Sequence, residues 1–204
     1  MKLYVSPRAP NPRRVTMFIA EKNIRGIEEV IVNLSDNEHK GAAYVAKNSF
    51  SGVPALELDD GRVLSESRAI CTYLEGLHPE PNLMGMTFDE CAFIEMADRR
   101  MELSLFGSIA NCIRHTHPGL SALEQPQFHD FGHSQGEKML VVARWLDQHL
   151  ANTEYVAGDR FTIADITAFC ALEFARGLMK FNPGELGLPH LHAYRDRISQ
   201  RQGV

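Results

Sequence analysis

The chain has 204 residues, 44% of them hydrophobic and 23% charged, with a formal net charge of −5. That is the balance of an ordinary soluble protein, long enough for one domain or two small ones, and the acidic excess argues against a basic nucleic-acid-binding face. No apolar run approaches the ~20 residues of a membrane span. Residues 1–7 lack the apolar core of a secretion signal. A soluble, cytoplasmic protein with neither a membrane nor a nucleic-acid partner is therefore expected. The four cysteines, Cys71, Cys91, Cys112 and Cys170, are scattered with no Cys-x-x-Cys pair, the pattern of reduced thiols rather than of a disulfide or metal framework.

Residues 2–6 read as a short strand. Pro12 fits the first turn of a following helix, where a missing N–H costs nothing, and Val15, Phe18 and Ile19 give that helix its apolar face. Residues 27–33, with Val30, Ile31 and Val32, form the next strand. A polar loop over 34–39 leads to a short helix over 41–47. Residues 55–58 and 62–64 make a hairpin over Asp59-Asp60-Gly61. The helix over 65–77 carries Ile70, Tyr73, Leu74 and Leu77 on one face. The order is β-α-β-α-β-β-α. A proline-rich break over 78–82 follows, and everything after about residue 87 is helical in pattern. Helices are expected over 87–111, with Phe88, Cys91, Ala92, Met96, Leu105 and Phe106 as the apolar set, and over 127–150, 162–176 and 190–200. The domains so expected are 1–78, α/β, and 87–204, all helical.

Chemistry concentrates between Ser51 and Leu74. Val53 precedes Pro54 and is biased toward extended backbone, so its N–H and C=O can pair with another extended chain. Glu66 and Ser67 follow the hairpin and open a helix, whose free N–H groups attract a carboxylate. Ser67 adds a hydroxyl donor and Glu66 can receive an ammonium group. Together these hold a small peptide-like anion without a metal. Farther on, Thr162 and Asp165 are spaced as a capping box, with Phe161 and Ile166 as the hydrophobic staple around it.

Val53-Pro54-Ala55-Leu56 followed by Leu64-Ser65-Glu66-Ser67, and the later Gly158-Asp-x-Phe-Thr-Ile-Ala-Asp165, give the chain its resemblance to the glutathione S-transferase family, over essentially its whole length. The resemblance implies a thioredoxin-like N-terminal domain and an all-helical C-terminal domain, a cis Val53–Pro54 bond, glutathione as co-substrate, a hydrophobic electrophile as second substrate, a detoxification role and a homodimer. It implies that the Val53 backbone at Pro54 binds the cysteinyl part of glutathione, that Glu66 and Ser67 bind its γ-glutamyl end, and that Lys40, beside His39, meets the glycine carboxylate.

Conjugation requires a thiolate, and a free thiol ionises only near pH ~8.5. The activating group belongs in the loop between the first strand and first helix, where Tyr4, Ser6, Asn11 and Arg13 are the polar choices. The serine position of the theta- and delta-like classes falls on Ala9, a departure from the pattern, and the loop has no cysteine, unlike omega- and beta-like members. Asn11 falls where the nu-like class has an asparagine, and ranks first; Ser6 ranks second. Asn11 is equally suited to capping the helix, and Ser6 to closing a turn. Lys40, Arg13, Arg14, Arg99 and Arg100 serve either an anionic ligand or the surface. Met101, Leu105, Phe106 and Ile109 line either an apolar cleft, the core or a dimer interface. His115/His117, His129/His133 and His190/His192 are close pairs without an evident third ligand, so no metal is expected. The departure at Ala9 keeps two alternatives open, a glutathione-dependent disulfide or peroxide reductase and a non-enzymatic glutathione-fold binding module.

Overall fold

The structure, a computed structural model, describes residues 1–201. These divide into two compact units, Met1–Asn82 and residues 83–201.

The first unit runs β1 (Lys2–Val5), α1 (Pro10–Glu21), β2 (Glu28–Ile31), a 3₁₀ turn at Glu38–Lys40, α2 (Ala42–Val45), β3 (Ala55–Glu57), β4 (Val63–Ser65) and α3 (Ser67–Leu77). The sheet order is β2-β1-β3-β4, with β1 parallel to β2 and antiparallel to β3, and β3 antiparallel to β4. This is the thioredoxin-like arrangement expected from the element order. Leu3 stands opposite Leu56 in the ladder and both are fully buried. Alternation along β1 turns Tyr4 to the other face, where it clusters with Val32, Tyr44 and Ala55 and meets Tyr44 edge-on at 5.9 Å. Lys22 closes the unit at its far end: its Nζ lies 2.6 Å from Glu75 and donates to the Pro81 carbonyl at 2.6 Å.

Three expectations need correction here. α1 begins at Pro10, with Ala9 as its N-cap and no side chain capping it, because two prolines compatible with the first turn extend the helix upstream. Asn11 is thus inside the first turn and is not the cap. The second strand is shorter than its β-branched run, with Ile31 exposed, because β2 is an edge strand. Leu77 is also exposed, at the last turn of α3.

The second unit comprises α4 (Phe88–Arg100), a π-helical segment (Met101–Phe106), α5 (Gly107–Thr116), α6 (His129–Leu150), α7 (Ile163–Met179) and α8 (Pro189–Ile198). The α4 sequence carries two apolar stripes. The expected one is on the outside: Phe88 is 97% exposed, and Cys91, Ala92 and Met96 are exposed too. The buried stripe is Ile94, Ala97, Asp98 and Met101, spaced i, i+3, i+4, i+7 and packed toward α7. Met101, Leu105, Phe106 and Ile109 are all core. Arg99 pairs with Glu95 at 3.3 Å and with Glu102, the surface reading, and Arg100 lies over the Trp145 ring. α6 packs on α5 closely enough that a Cβ at Gly132 would stand 2.7 Å from the Thr116 methyl.

The capping box forms as expected. Asp165 Oδ2 accepts from the Thr162 amide at 2.8 Å, and Thr162 caps α7. Phe161 and Ile166 are both buried. Oδ1 of Asp165 also accepts from the Val156 amide at 2.9 Å and the Tyr194 hydroxyl at 2.9 Å.

Candidate functional site

Register gathers the candidate residues at one end of the first unit's sheet. Tyr4 is opposite Ala55, and Ala55 opposite Ser65. One step past that end lie the β1–α1 loop, the Val53–Pro54 step and the Glu66–Ser67 helix start. β2 is parallel to β1, with Val5 opposite Ile31, so the segment leading to Lys40 leaves the same end. Three stretches far apart in sequence thus meet because a mixed sheet brings their strand ends together, and a fourth, toward Lys40, departs from the same end.

At the first stretch, Tyr4 is already engaged, since its hydroxyl donates to Glu57 Oε2 at 2.6 Å. The Ser6 carbonyl closes a turn by accepting the Ala9 N–H at 3.0 Å. The first turn of α1 then has an unusual donor inventory. A helix start leaves four N–H groups without helical acceptors. Here Ala9's is bonded to Ser6, and Pro10 and Pro12 have none. The Asn11 N–H is the remaining one. Asn11 is exposed and its amide makes no hydrogen bond among the described residues. One residue therefore offers a backbone donor and a side-chain amide at the positive end of a 12-residue helix.

At the second stretch the Val53–Pro54 bond is cis. The loop before it is clamped: the Gly52 carbonyl accepts from the Tyr44 hydroxyl at 2.6 Å and from Asn48 Nδ2 at 2.8 Å. Burial pushes the Tyr44 phenol up to about 12, so it stays a donor. Val53 itself is half-buried, and neither its N–H nor its C=O is paired among the described residues. β3 starts only at Ala55, so these two groups form an unpaired strand edge in a held conformation.

At the third stretch Glu66 is exposed at φ 67°, ψ 116°, a conformation that costs a non-glycine residue about 1–3 kcal/mol. Such strain marks a backbone over-determined by its surroundings. Ser67 follows at the first position of α3 and is buried, and its hydroxyl does not cap the helix. It accepts instead from Nη1 of Arg14 at 2.9 Å. Arg14 is only 2% exposed. Arg14 is one of the residues that sequence patterns left undecided between ligand and surface; the structure puts it inside, linking α1 to the first turn of α3.

At the fourth stretch Lys40 is exposed, at the end of the 3₁₀ turn. His39 beside it is 8% exposed, with Nδ1 unpartnered, and burial lowers its pKa. Sequence reasoning passed over His39 as a mere neighbour of Lys40; no periodicity marks a buried histidine in a polar loop. Among the described residues no group of three or more His, Cys, Asp or Glu is placed to hold a metal ion, and no helix is long and apolar enough to cross a membrane.

Comparison with known proteins agrees with this architecture. Residues 9–77 match the family model "Glutathione S-transferase, N-terminal domain" and residues 133–202 match "Glutathione S-transferase, C-terminal domain". The chain is 37% identical to glutathione S-transferase 2 of Saccharomyces cerevisiae over 206 aligned residues, covering 100% of this chain and 88% of the yeast protein. The crystal structure of Gtt2 from the same yeast superposes with a TM-score of 0.93 at 37% identity, over 100% of this chain and 98% of that one. A glutathione S-transferase domain-containing protein of Marinobacter aquaeolei gives 0.94 at 38% identity, over 100% and 99%. Maleylacetoacetate isomerase of Pseudomonas aeruginosa is 32% identical over 78% of this chain and 71% of its own length. The chain belongs to the glutathione S-transferase family.

Proposed function

We propose that the chain is a glutathione transferase that holds glutathione across the end of the first unit's sheet. The observation that carries this reading is the unpaired Val53 N–H and C=O on a clamped segment just before β3. The cysteinyl part of glutathione is an extended peptide, and pairs there as an added strand. Glu66 receives its α-ammonium group and Ser67 its α-carboxylate. Lys40, with His39 Nδ1 beside it, meets the glycine carboxylate. The sulfur then reaches the first turn of α1.

Asn11 supplies the activation. Lowering a thiol pKa by about 2 units takes about 2.7 kcal/mol of selective stabilisation. Hydrogen bonds to a charged acceptor contribute about 1.5–3 kcal/mol each, and a helix N-terminus about 0.3–1 kcal/mol. The Asn11 N–H and amide with the α1 dipole are sufficient. The thiol proton leaves to solvent, the thiolate attacks the electrophilic carbon, a C–S bond forms and the leaving group departs. No cysteine lies in the β1–α1 loop to form a protein–glutathione disulfide, which favours transfer over reduction. Conjugation to a model aryl halide, with little reduction of a mixed disulfide, is the expected outcome; the reverse ratio would assign the chain as a reductase.

The same reading makes it a cytosolic homodimer acting on hydrophobic electrophiles, in keeping with a detoxification role. Phe50 in the first unit is 88% exposed, and the outer stripe of α4 is apolar and bare, surfaces suited to a second copy of the chain in a two-fold pairing. Sedimentation at micromolar concentration is expected to give the mass of two chains; the mass of one would refute the pairing.

A further inference from the structure

We propose that Arg14 is a positioning residue for the γ-glutamyl carboxylate, acting through Ser67; this rests on the glutathione reading above. A serine hydroxyl has one hydrogen to donate and two lone pairs to accept with. Arg14 can only donate, and its Nη1 takes one of those lone pairs at 2.9 Å. The Ser67 hydrogen therefore cannot point toward Arg14. It finds no acceptor among the described residues, the bond from Arg14 being the one hydrogen bond the Ser67 hydroxyl makes there. Ser67 as a whole is 5% exposed, and its hydrogen is left available to an acceptor arriving at the start of α3. Two effects follow. The Arg14 bond restricts the Ser67 rotor before the ligand arrives, which lowers the ordering cost of binding. The guanidinium behind the oxygen polarises the O–H bond, which strengthens donation to an anion. Arg14 also brings a positive charge within one hydroxyl of the carboxylate, in an otherwise acidic protein.

This assignment differs from a structural role for a buried arginine. A purely structural Arg14 would act on folding, and its loss would weaken all parts of the ligand site in proportion. An Arg14 that works through Ser67 acts on one end of the ligand and loses its effect when the hydroxyl is absent. The test is a double-mutant cycle of Arg14→Gln and Ser67→Ala, read by calorimetric affinity for glutathione and for cysteinylglycine, which lacks the γ-glutamyl group. The unaltered protein must bind glutathione for the cycle to start; absence of binding there refutes the functional reading itself. Given binding, Arg14→Gln is expected to weaken glutathione about tenfold and leave cysteinylglycine unchanged. The double variant should bind no more weakly than Ser67→Ala alone. If Arg14→Gln does not fold, Arg14→Met replaces it in the same cycle, because it keeps the unbranched stem and removes both the charge and the donor. An unchanged glutathione affinity, equal losses for both ligands, or a double loss equal to the product of the single ones would each overturn the proposal.

Discussion

The Tyr194 hydroxyl meets Oδ1 of Asp165 at 2.9 Å, and both side chains are almost wholly enclosed. Four donors surround that carboxylate, from Val156, Thr162 (amide and hydroxyl) and Tyr194. Burial nevertheless prevails over them and pushes the Asp165 acid up to about 6, from 3.8. A carboxylic acid with a raised folded-state pKa binds its proton more tightly folded than unfolded. Its contribution to stability is therefore largest below pH ~4 and falls by about 3 kcal/mol as pH rises to ~6. The difference in unfolding free energy between the natural protein and Asp165→Asn, measured across this range, is expected to change in that direction. A difference that stays constant from pH 4 to 7 would show that Asp165 does not titrate there.

Ser67→Ala is expected to weaken glutathione binding about tenfold or more, the loss of a hydrogen bond to a charged group. The structure adds a stability cost that the helix start alone would not suggest. The hydroxyl is an acceptor for buried Arg14, and removing it destabilises by about 1 kcal/mol. A lowered melting temperature with unchanged glutathione affinity would reduce Ser67 to a structural residue.

Glu66 separates strain from binding. At φ 67°, ψ 116°, replacement by glycine relieves about 1–3 kcal/mol of backbone strain against an unfolded-state entropy cost of about 0.5–1 kcal/mol. Glu66→Gly is expected to keep or raise the melting temperature while weakening glutathione through loss of the ammonium partner. Thermal scans and titrations on one sample check both halves; undiminished affinity would remove Glu66 from the site.

Asn11 can be dissected in two steps. Asn11→Ala removes the amide and keeps the N–H. Asn11→Pro removes both, at a first-turn position where proline is tolerated. The pKa of the bound thiol, followed by thiolate absorbance in the ultraviolet, is expected to rise in the first variant and further in the second. A bound thiol near pH ~8.5 in the unaltered protein would instead favour the non-enzymatic binding module.

What could be read from the sequence was local. Glu66-Ser67 and the Thr162/Asp165 box each lie within a few residues, and each opens the helix its spacing implies; the cis Val53–Pro54 bond is the one the family resemblance implies. The Arg14–Ser67 bond spans 53 residues, and no spacing rule connects them. The start of α1 was misplaced because Pro12 alone satisfies a first turn, and the pattern does not say that Pro10 does so as well. α4 shows a different failure. Phe88, Cys91, Ala92 and Met96 form a helical stripe as regular as Ile94, Ala97, Asp98 and Met101, and periodicity favours the more apolar one. Burial followed the stripe facing α7, where buried Asp98 accepts from Thr167 at 2.5 Å.

The central claim is that this fold end binds glutathione, and a calorimetric titration of the unaltered protein with glutathione tests it most directly. Saturable binding at or below millimolar ligand is the predicted result. No binding at millimolar glutathione in a sample whose circular dichroism shows it folded would contradict the account.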